Sequence, residues 1–384
     1  LPWSGEPLPV PDLIKEAFTI ESRRKFTQLV NGSIAIVPVL VVFANPLRGH
    51  RAAYLPMEPV TDPAILVRAR GFPMSAGQLD AEFDVIIVGG GPAGLSAALV
   101  LGRCLRRVLL CDSGKPRNFA AHEMHGFLTR DCSDPADLRR VGREQLQRYG
   151  TVDVRDVAVT SATRMGNGFS VELENGKHTH CRKLLLATGV RDELPAVPGF
   201  DEIYGQSAHH CPYCDGWEWR GRALAVYGEA EKGAALAVEL LGWSSDVVLF
   251  VNGDRAMPAE AETELARCGI RVITSPIVRL ENSGGQLTGV LLDSGETVKR
   301  DALFFAAPTR QSCGIAELLG CEFDEKGAVR TGELEGSNVA GLYVAGDASR
   351  HAGLAIVAAA EGARAAFAIN SELLKEDRRA ECMA

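Results

Sequence analysis

Three features that would assign a class at once are missing from this chain. There is no basic excess: 41 Lys and Arg stand against 49 Asp and Glu, a formal charge of −8 over 384 residues. That balance argues against a nucleic-acid partner, because phosphate binding rests on a basic surface. The short basic cluster Arg103, Arg106 and Arg107 reads as a solvated helix end. No membrane span is expected either. The one apolar run of the leader, "SIAIVPVLVVFA" at 33–44, is too short for a bilayer and carries Pro38 in its middle. Nor is there a dense cysteine framework of the secreted kind. Of ten cysteines, those at 104, 111, 132, 181, 268, 313, 321 and 382 are scattered. Several lie in apolar runs, as Cys111 does in "VLLCD", where a thiol acts as a small hydrophobe. This points to a reducing, cytoplasmic setting. Only Cys211 and Cys214 form a close pair.

What remains is the composition of a globular protein, 46% hydrophobic and 23% charged, with room for two or three domains. The first 80 residues differ from the rest, with proline-rich pieces around the apolar run. Arg23, Arg24 and Lys25 precede that run, which allows a signal-peptide reading; no clean cleavage site follows. An N-terminal extension of unclear role, with the working protein opening at Met74, is the plainer expectation.

From residue 83 strand and helix signals alternate. "FDVIIVG" is a short apolar run suited to a strand buried on both faces, "PAGLSAALVLGR" has helical periodicity, and "RVLLCD" is a second buried strand. An amphipathic helix at "DPADLRRVGREQLQRYG" precedes alternating segments with a hairpin signal at Asn175-Gly176. The strand–loop–helix–strand plan then returns at "RALAVYGEAEKGAALAVELLGWSSDVVLFV". Two copies of one nucleotide-binding plan predict an α/β protein with two doubly wound, Rossmann-like units and no linker between them. The tail adds a strand, a Gly-Asp loop and an Ala-rich helix.

Gly89-Gly90-Gly91-Pro92-Ala93-Gly94 satisfies G-x-G-x-x-G between a buried strand and a helix. Gly89 permits the tight turn, Gly91 the approach of a pyrophosphate, and Gly94 close helix–strand packing. The helix start at Pro92 and Ala93 offers amides to phosphate, and Asp112 can accept from ribose hydroxyls. The second copy, Gly228-Glu229-Ala230-Glu231-Lys232-Gly233, has alanine where the backbone must approach phosphate. Two glutamates flank it, Asn252 stands where an acid would hold a ribose, and Arg255 is available for a 2′-phosphate. Gly228, Gly233 and Arg255 therefore form a weak candidate NAD(P) site.

Three readings compete for "HHCPYCDGWE". A metal site would need a further ligand pair to close a tetrahedron, and no metal centre is expected. Inert structural thiols rarely fall at C-x-x-C before an aspartate. A reversible Cys211–Cys214 disulfide is the favoured reading, with a helix N-terminus lowering one thiol and Asp215 handling protons. His210, with His209, could assist or simply be a hydrogen-bonded turn residue.

Taken in order, "DVIIVGGGPAGLSAAL", "LLLATGVRDELPAVPG", "HHCPYCDGWE" and "GLYVAGDAS" resemble the low-molecular-weight thioredoxin reductase family over about residues 81–376. The resemblance implies FAD at Gly89, Gly91, Gly94 and Asp112, with Thr188 and Gly189 at the domain crossover and Gly346 and Asp347 beside the flavin. It implies Cys214 nearest the flavin, Cys211 exchanging with substrate and Asp215 as proton donor. It further implies a homodimer and an FAD domain at 81–197 and 306–384, interrupted by an NAD(P)H domain at 198–305. The family's NADPH-reading basic cluster is missing in "FVNGDRA", and its Arg-Gln pair is replaced by Gly353-Leu354. A reductase would pass electrons from NADPH or NADH through FAD and the cysteines to a thioredoxin-like protein or small disulfide. An oxidase resembling the gliotoxin and holomycin dithiol oxidases would run from a small dithiol to oxygen. A flavin redox sensor is the non-enzymatic alternative. Cys382 could be a tail thiol.

Overall fold

The computed structural model describes residues 82–253, 257–306, 308–350 and 353–383. Arg255, Met74 and the extension at 1–80 lie outside the described residues. The apolar run after the leader forms β1 (Phe83–Val88), followed by α1 (Pro92–Arg103), β2 (Val108–Asp112), α2 (Pro135–Leu146) and β3 (Val152–Asp156). The alternating segments form β4 (Val159–Met165), β5 (Gly168–Leu173), β6 (His178–Leu186) and the short β7 (Val190–Asp192). Asn175-Gly176 turns β5 into β6, with Gly176 at φ +76°.

The second plan runs through α3 (Phe200–Ile203), β8 (Ala208–His209), α4 (Pro212–Asp215), β9 (Leu224–Tyr227), α5 (Ala230–Leu240), β10 (Val247–Phe250), α6 (Ala259–Arg267) and β11 (Arg271–Ile273). An antiparallel ribbon of β12 (Ile277–Ser283), β13 (Gln286–Leu292) and β14 (Thr297–Val298) leads to β15 (Ala302–Phe305) and β16 (Thr309–Gln311). The chain ends in α7 (Ile315–Leu318), β17 (Leu342–Val344) and α8 (Ala355–Met383).

Both large sheets repeat one strand order. The first runs β3-β2-β1-β6, with the far side of β6 divided between β5, which is antiparallel, and β17, which is parallel. The second runs β11-β10-β9-β15-β8, all parallel. In each, an antiparallel ribbon is inserted before the strand that pairs with the first one. Parallel strands covered on both faces must be apolar throughout, and Val85, Ile86 and Ile87 are fully buried, as are Leu224, Ala225 and Val226. The fold is the expected pair of doubly wound Rossmann-like units.

Small residues set the first helix layer. Ala93, Ala97, Ala98 and Leu101 of α1 pack with Ala365, Ala366, Ile369 and Leu373 of α8 in one core cluster. Burying a Leu101-sized side chain contributes about 2 kcal/mol. Arg106 departs from the expected solvated helix end. It is only 9% exposed, and it donates to Asn370 Oδ1 and Asp377 Oδ2, both at 2.8 Å, tying the end of α1 to α8. Arg103 and Arg107 are exposed. No helix among the described residues is long and apolar enough to cross a membrane.

Candidate active site

The turn from β1 into α1 forms one wall of a cavity of about 220 Å³. Gly89 needs its φ of +114°, and a Cβ there would run into the Ala187 carbonyl of the neighbouring strand. A Cβ on Gly94 would strike the Gly89 carbonyl, so Gly94 lies beneath the turn, outside the lining. Gly91 has nothing within 4 Å of its Cβ position and borders the cavity. Gly91 also caps α1 with no side-chain hydrogen bond, Pro92 follows it, and the first turn holds no acid. The helix start is therefore left free for an anion.

Pro92, Ala93, Asp112, Thr188, Gly189, Gly346 and Asp347 all line the same cavity. Asp112 accepts from Arg143 Nη2 at 2.8 Å and from the Gly114 amide at 3.0 Å, which fixes its carboxylate at the strand end. The Gly346 amide donates to buried Glu361 at 2.8 Å. Arg117 spans the floor. Its Nε and Nη2 donate to Asp192 at 2.9 and 2.6 Å, and its Nη1 donates to Asp347 at 2.8 Å. A Cβ on Gly353 would lie 2.9 Å from Arg117 Nη1, so this guanidinium fills the space beside Gly353. Burial works against the Asp192 charge, but the Arg117 hydrogen bonds hold its carboxyl below the usual range.

The cysteine segment reaches this cavity from the second sheet. His210, Cys214 and Asp215 line it, whereas Cys211 does not. Cys211 is the N-cap of α4, and both cysteines are free thiols. A hydrogen bond from Cys214 holds the Cys211 thiol below the ordinary range against the effect of burial, with help from the backbone amides of Cys214 and Tyr213. The same hydrogen bond, then burial, pushes Cys214 well up. The pair thus has one nucleophilic sulfur and one proton-bearing sulfur.

The two adjacent imidazoles have different jobs. Trp219 Nε1 donates to His209 Nε2 at 3.0 Å, and His209 Nδ1 lies 3.2 Å from Asp215 Oδ1. With Nε2 accepting, the proton of His209 sits on Nδ1 and points at Asp215. His209, 9% exposed, therefore orients the carboxylate. His210 faces the cavity, and burial followed by the Arg117 charge holds it below the usual imidazole range.

Gly228 and Gly233 sit outside this cavity, at the start of α5, and approach each other so closely that a Cβ on Gly228 would lie 2.8 Å from Gly233 Cα. Asn252 Oδ1 accepts from the Ile277 amide at 2.7 Å. Sequence reasoning missed Arg117, Asp192 and Trp219. Arg117 meets Asp192 and Asp347 from far along the chain, while Trp219 lies ten residues after His209 with no periodic pattern to show that the two side chains meet.

Residues 83–362 match the family model described as pyridine nucleotide-disulphide oxidoreductase. A probable thioredoxin reductase of Arthroderma benhamiae is 31% identical over 78% of this chain and 82% of its own length. The thioredoxin reductase tcpT of Claviceps purpurea is 32% identical over 69% and 86%. Among solved structures, a putative thioredoxin reductase TrxB from Bacillus anthracis is 33% identical, with a TM-score of 0.73 over 76% of this chain and 99% of its own. HlmI is 34% identical, with a TM-score of 0.76 over 80% and 98%. The chain belongs to the pyridine nucleotide-disulphide oxidoreductase family, in its low-molecular-weight thioredoxin reductase-like branch. It is an oxidoreductase acting on sulfur groups, with FAD as cofactor and NAD(P)H as electron donor. The uncapped helix start and the open Gly91 are the cradle that a pyrophosphate requires, so the residues present fit FAD.

Proposed function

We propose that this chain reduces a disulfide, in a thioredoxin-like protein or a small molecule, through Cys211 and Cys214. The observation that carries the reading is that Cys214 and Asp215 share one cavity with the Gly89–Ala93 turn and with Gly346 and Asp347, while Cys211 is not part of that lining. Gly89, Gly91, Pro92 and Ala93 would hold the FAD pyrophosphate, with Gly94 packed beneath their turn, Asp112 would hold a ribose, and Thr188, Gly189, Gly346 and Asp347 the flavin side. When bound, FAD supplies the two electrons that reopen the cysteine disulfide.

The chain's own residues perform the exchange. The Cys211 thiolate attacks one substrate sulfur, the substrate S–S bond breaks, and the leaving thiolate takes a proton. Cys214 then loses its proton to Asp215 and attacks Cys211 Sγ, which closes the Cys211–Cys214 disulfide and releases the second substrate sulfur as a thiolate that takes the proton back from Asp215. The whole reduction takes two electrons and two protons. His209 keeps Asp215 aimed at this transfer, and neutral His210 borders it.

The reading brings with it a cytoplasmic homodimer and the division into an FAD domain (81–197 and 306–384) interrupted by an NAD(P)H domain (198–305). The repeated strand order supports that division. Gly228, Gly233 and Arg255 would carry the nicotinamide nucleotide. One observation favours a second reading, a dithiol oxidase using oxygen: the Asn252 amide oxygen is committed to Ile277, and it replaces the acid that would hold a ribose.

Anaerobic titration of the yellow protein separates the two. Rapid loss of flavin absorbance with NADPH or NADH supports the reductase. Loss with a dithiol but with neither nucleotide, with peroxide formed on admitting air, replaces it with the oxidase.

A further inference from the structure

On the rim of the cavity the loop between β2 and α2 folds back on itself. Met124 and Ser133 form an antiparallel bridge, and the Gly126 amide donates to Asp131 Oδ1 at 2.8 Å. That closure sets His125 and Cys132 side by side, with the sulfur 3.7 Å from Nδ1. Asp131 Oδ1 is 3.9 Å from the same nitrogen. On the other edge of the ring, Nε2 lies 3.9 Å from Glu123 Oε2 and 3.8 Å from Glu218 Oε1. Glu218 belongs to the same "CDGWE" stretch as Cys214.

We propose that Glu123, His125 and Cys132 form a binding site for a divalent transition-metal ion of the zinc type, with Asp131 beside it and Glu218 bracing the ring. One ligand atom from each of the three lies within 4.8 Å of the other two. Zinc bonds of roughly 2.0–2.3 Å to N, O and S give tetrahedral edges of about 3.3–3.6 Å. The sulfur–imidazole edge at 3.7 Å is within about 0.1 Å of that range. Glu123, which is exposed and stands beside Nε2, has to rotate round to the Nδ1 edge to join the sulfur on the ion.

The donor set has a chemical identity that a group of surface acids lacks. Imidazole and thiolate together select zinc-type ions over magnesium or calcium, and the imidazole is only 14% exposed. Three carboxylates converge on it, and no arginine or lysine among the described residues pairs with Glu123, Asp131 or Glu218. A bound dication balances that charge. Coordination at Nδ1, the edge beside Cys132, leaves the Nε2 N–H for Glu218, the outer partner that a ligating histidine commonly has. The ion would thereby fasten the cysteine-bearing segment to the opposite rim. The sequence gives little sign of this site, since its three ligands follow none of the usual paired zinc spacings and Glu218 arrives from another part of the chain.

The test uses FAD-loaded protein carrying Cys211→Ser and Cys214→Ser, so that the redox pair cannot bind metal. It is titrated with Co²⁺ and, separately, with Zn²⁺. The expected result is one ion per chain, with a thiolate-to-cobalt charge-transfer band that Cys132→Ser abolishes. Glu218→Gln should weaken binding by about tenfold or more, as the loss of an outer-sphere partner does. Failure to bind one equivalent overturns the proposal, as does binding that survives Cys132→Ser with the band intact. Flavin content, read from the same spectra, is independent of either outcome, so the reading of the redox site stands or falls separately.

Discussion

The turns at Gly89–Gly94 and Gly228–Gly233 follow equivalent strands in sheets of the same order, yet they differ in charge and in what lies around them. The first opens α1 with proline and no acid in its first turn; the second opens α5 with Glu231 in its first turn. An acid there satisfies the helix dipole internally and competes with an incoming phosphate. Asp112 ends β2 in the cavity wall, while its counterpart Asn252 is bonded to the backbone of Ile277. A shared topology therefore does not confer a shared ligand; a few residues at the strand ends decide it. What the second sheet does contribute to the first cavity is the segment carrying Cys214 and Asp215.

The largest effect should come from exchanging the two turns' glycines. Gly94→Ala drives a Cβ into the Gly89 carbonyl, so FAD content and activity should both collapse. Gly233→Ala is crowded too, with Gly228 O at 2.6 Å, but it should keep the flavin and raise only the KM for the nucleotide. Absorbance of the purified variants reads this directly, and loss of FAD from Gly233→Ala would break the comparison. Next in size is Asp215→Asn, expected to slow turnover about a hundredfold or more if Asp215 handles the Cys214 proton. Unchanged turnover would remove it from the proton path. Trp219→Phe frees His209 Nε2 and should cost about fivefold in kcat, the value of one hydrogen bond, with KM unchanged. A matching rise in KM would point to a packing defect instead.

The subtlest test is the pH profile of thiol alkylation in the reduced protein. Because Cys211 is held below the ordinary range, its alkylation should rise over a span of pH below that of an ordinary free thiol. Cys214, held well up, should stay unreactive across that span. Peptide mass spectrometry assigns the two sulfurs, and equal reactivity would erase the asymmetry.

Much of this was legible beforehand. The buried runs and helical periods announced both sheets, and Gly89 and Gly94 declared the first turn, because close backbone approach leaves glycine as the only fit, while Gly91 stays open to the cavity. Side chains that meet only through tertiary contact were not legible. Arg117 joins Asp192 and Asp347, which lie far along the chain, and the Arg103–Arg107 cluster looked solvated until α8 brought Asp377 to Arg106. The neighbouring histidines were not separable in sequence either. At a strand end, successive side chains point to opposite faces, which sends His209 toward Trp219 and leaves His210 at the cavity.

Trapping the mixed disulfide tests the division of labour between the two sulfurs most directly. Cys214→Ser and Cys211→Ser proteins, reduced and then exposed to an aromatic disulfide, are compared by peptide mass spectrometry, which separates these sulfurs from the exposed Cys104, Cys132 and Cys382. If Cys211 is the exchanging thiol, Cys214→Ser accumulates a stable adduct on Cys211, while Cys214 of the Cys211→Ser protein remains unmodified over the same time. An adduct that forms faster on Cys214 in the Cys211→Ser protein would contradict the account.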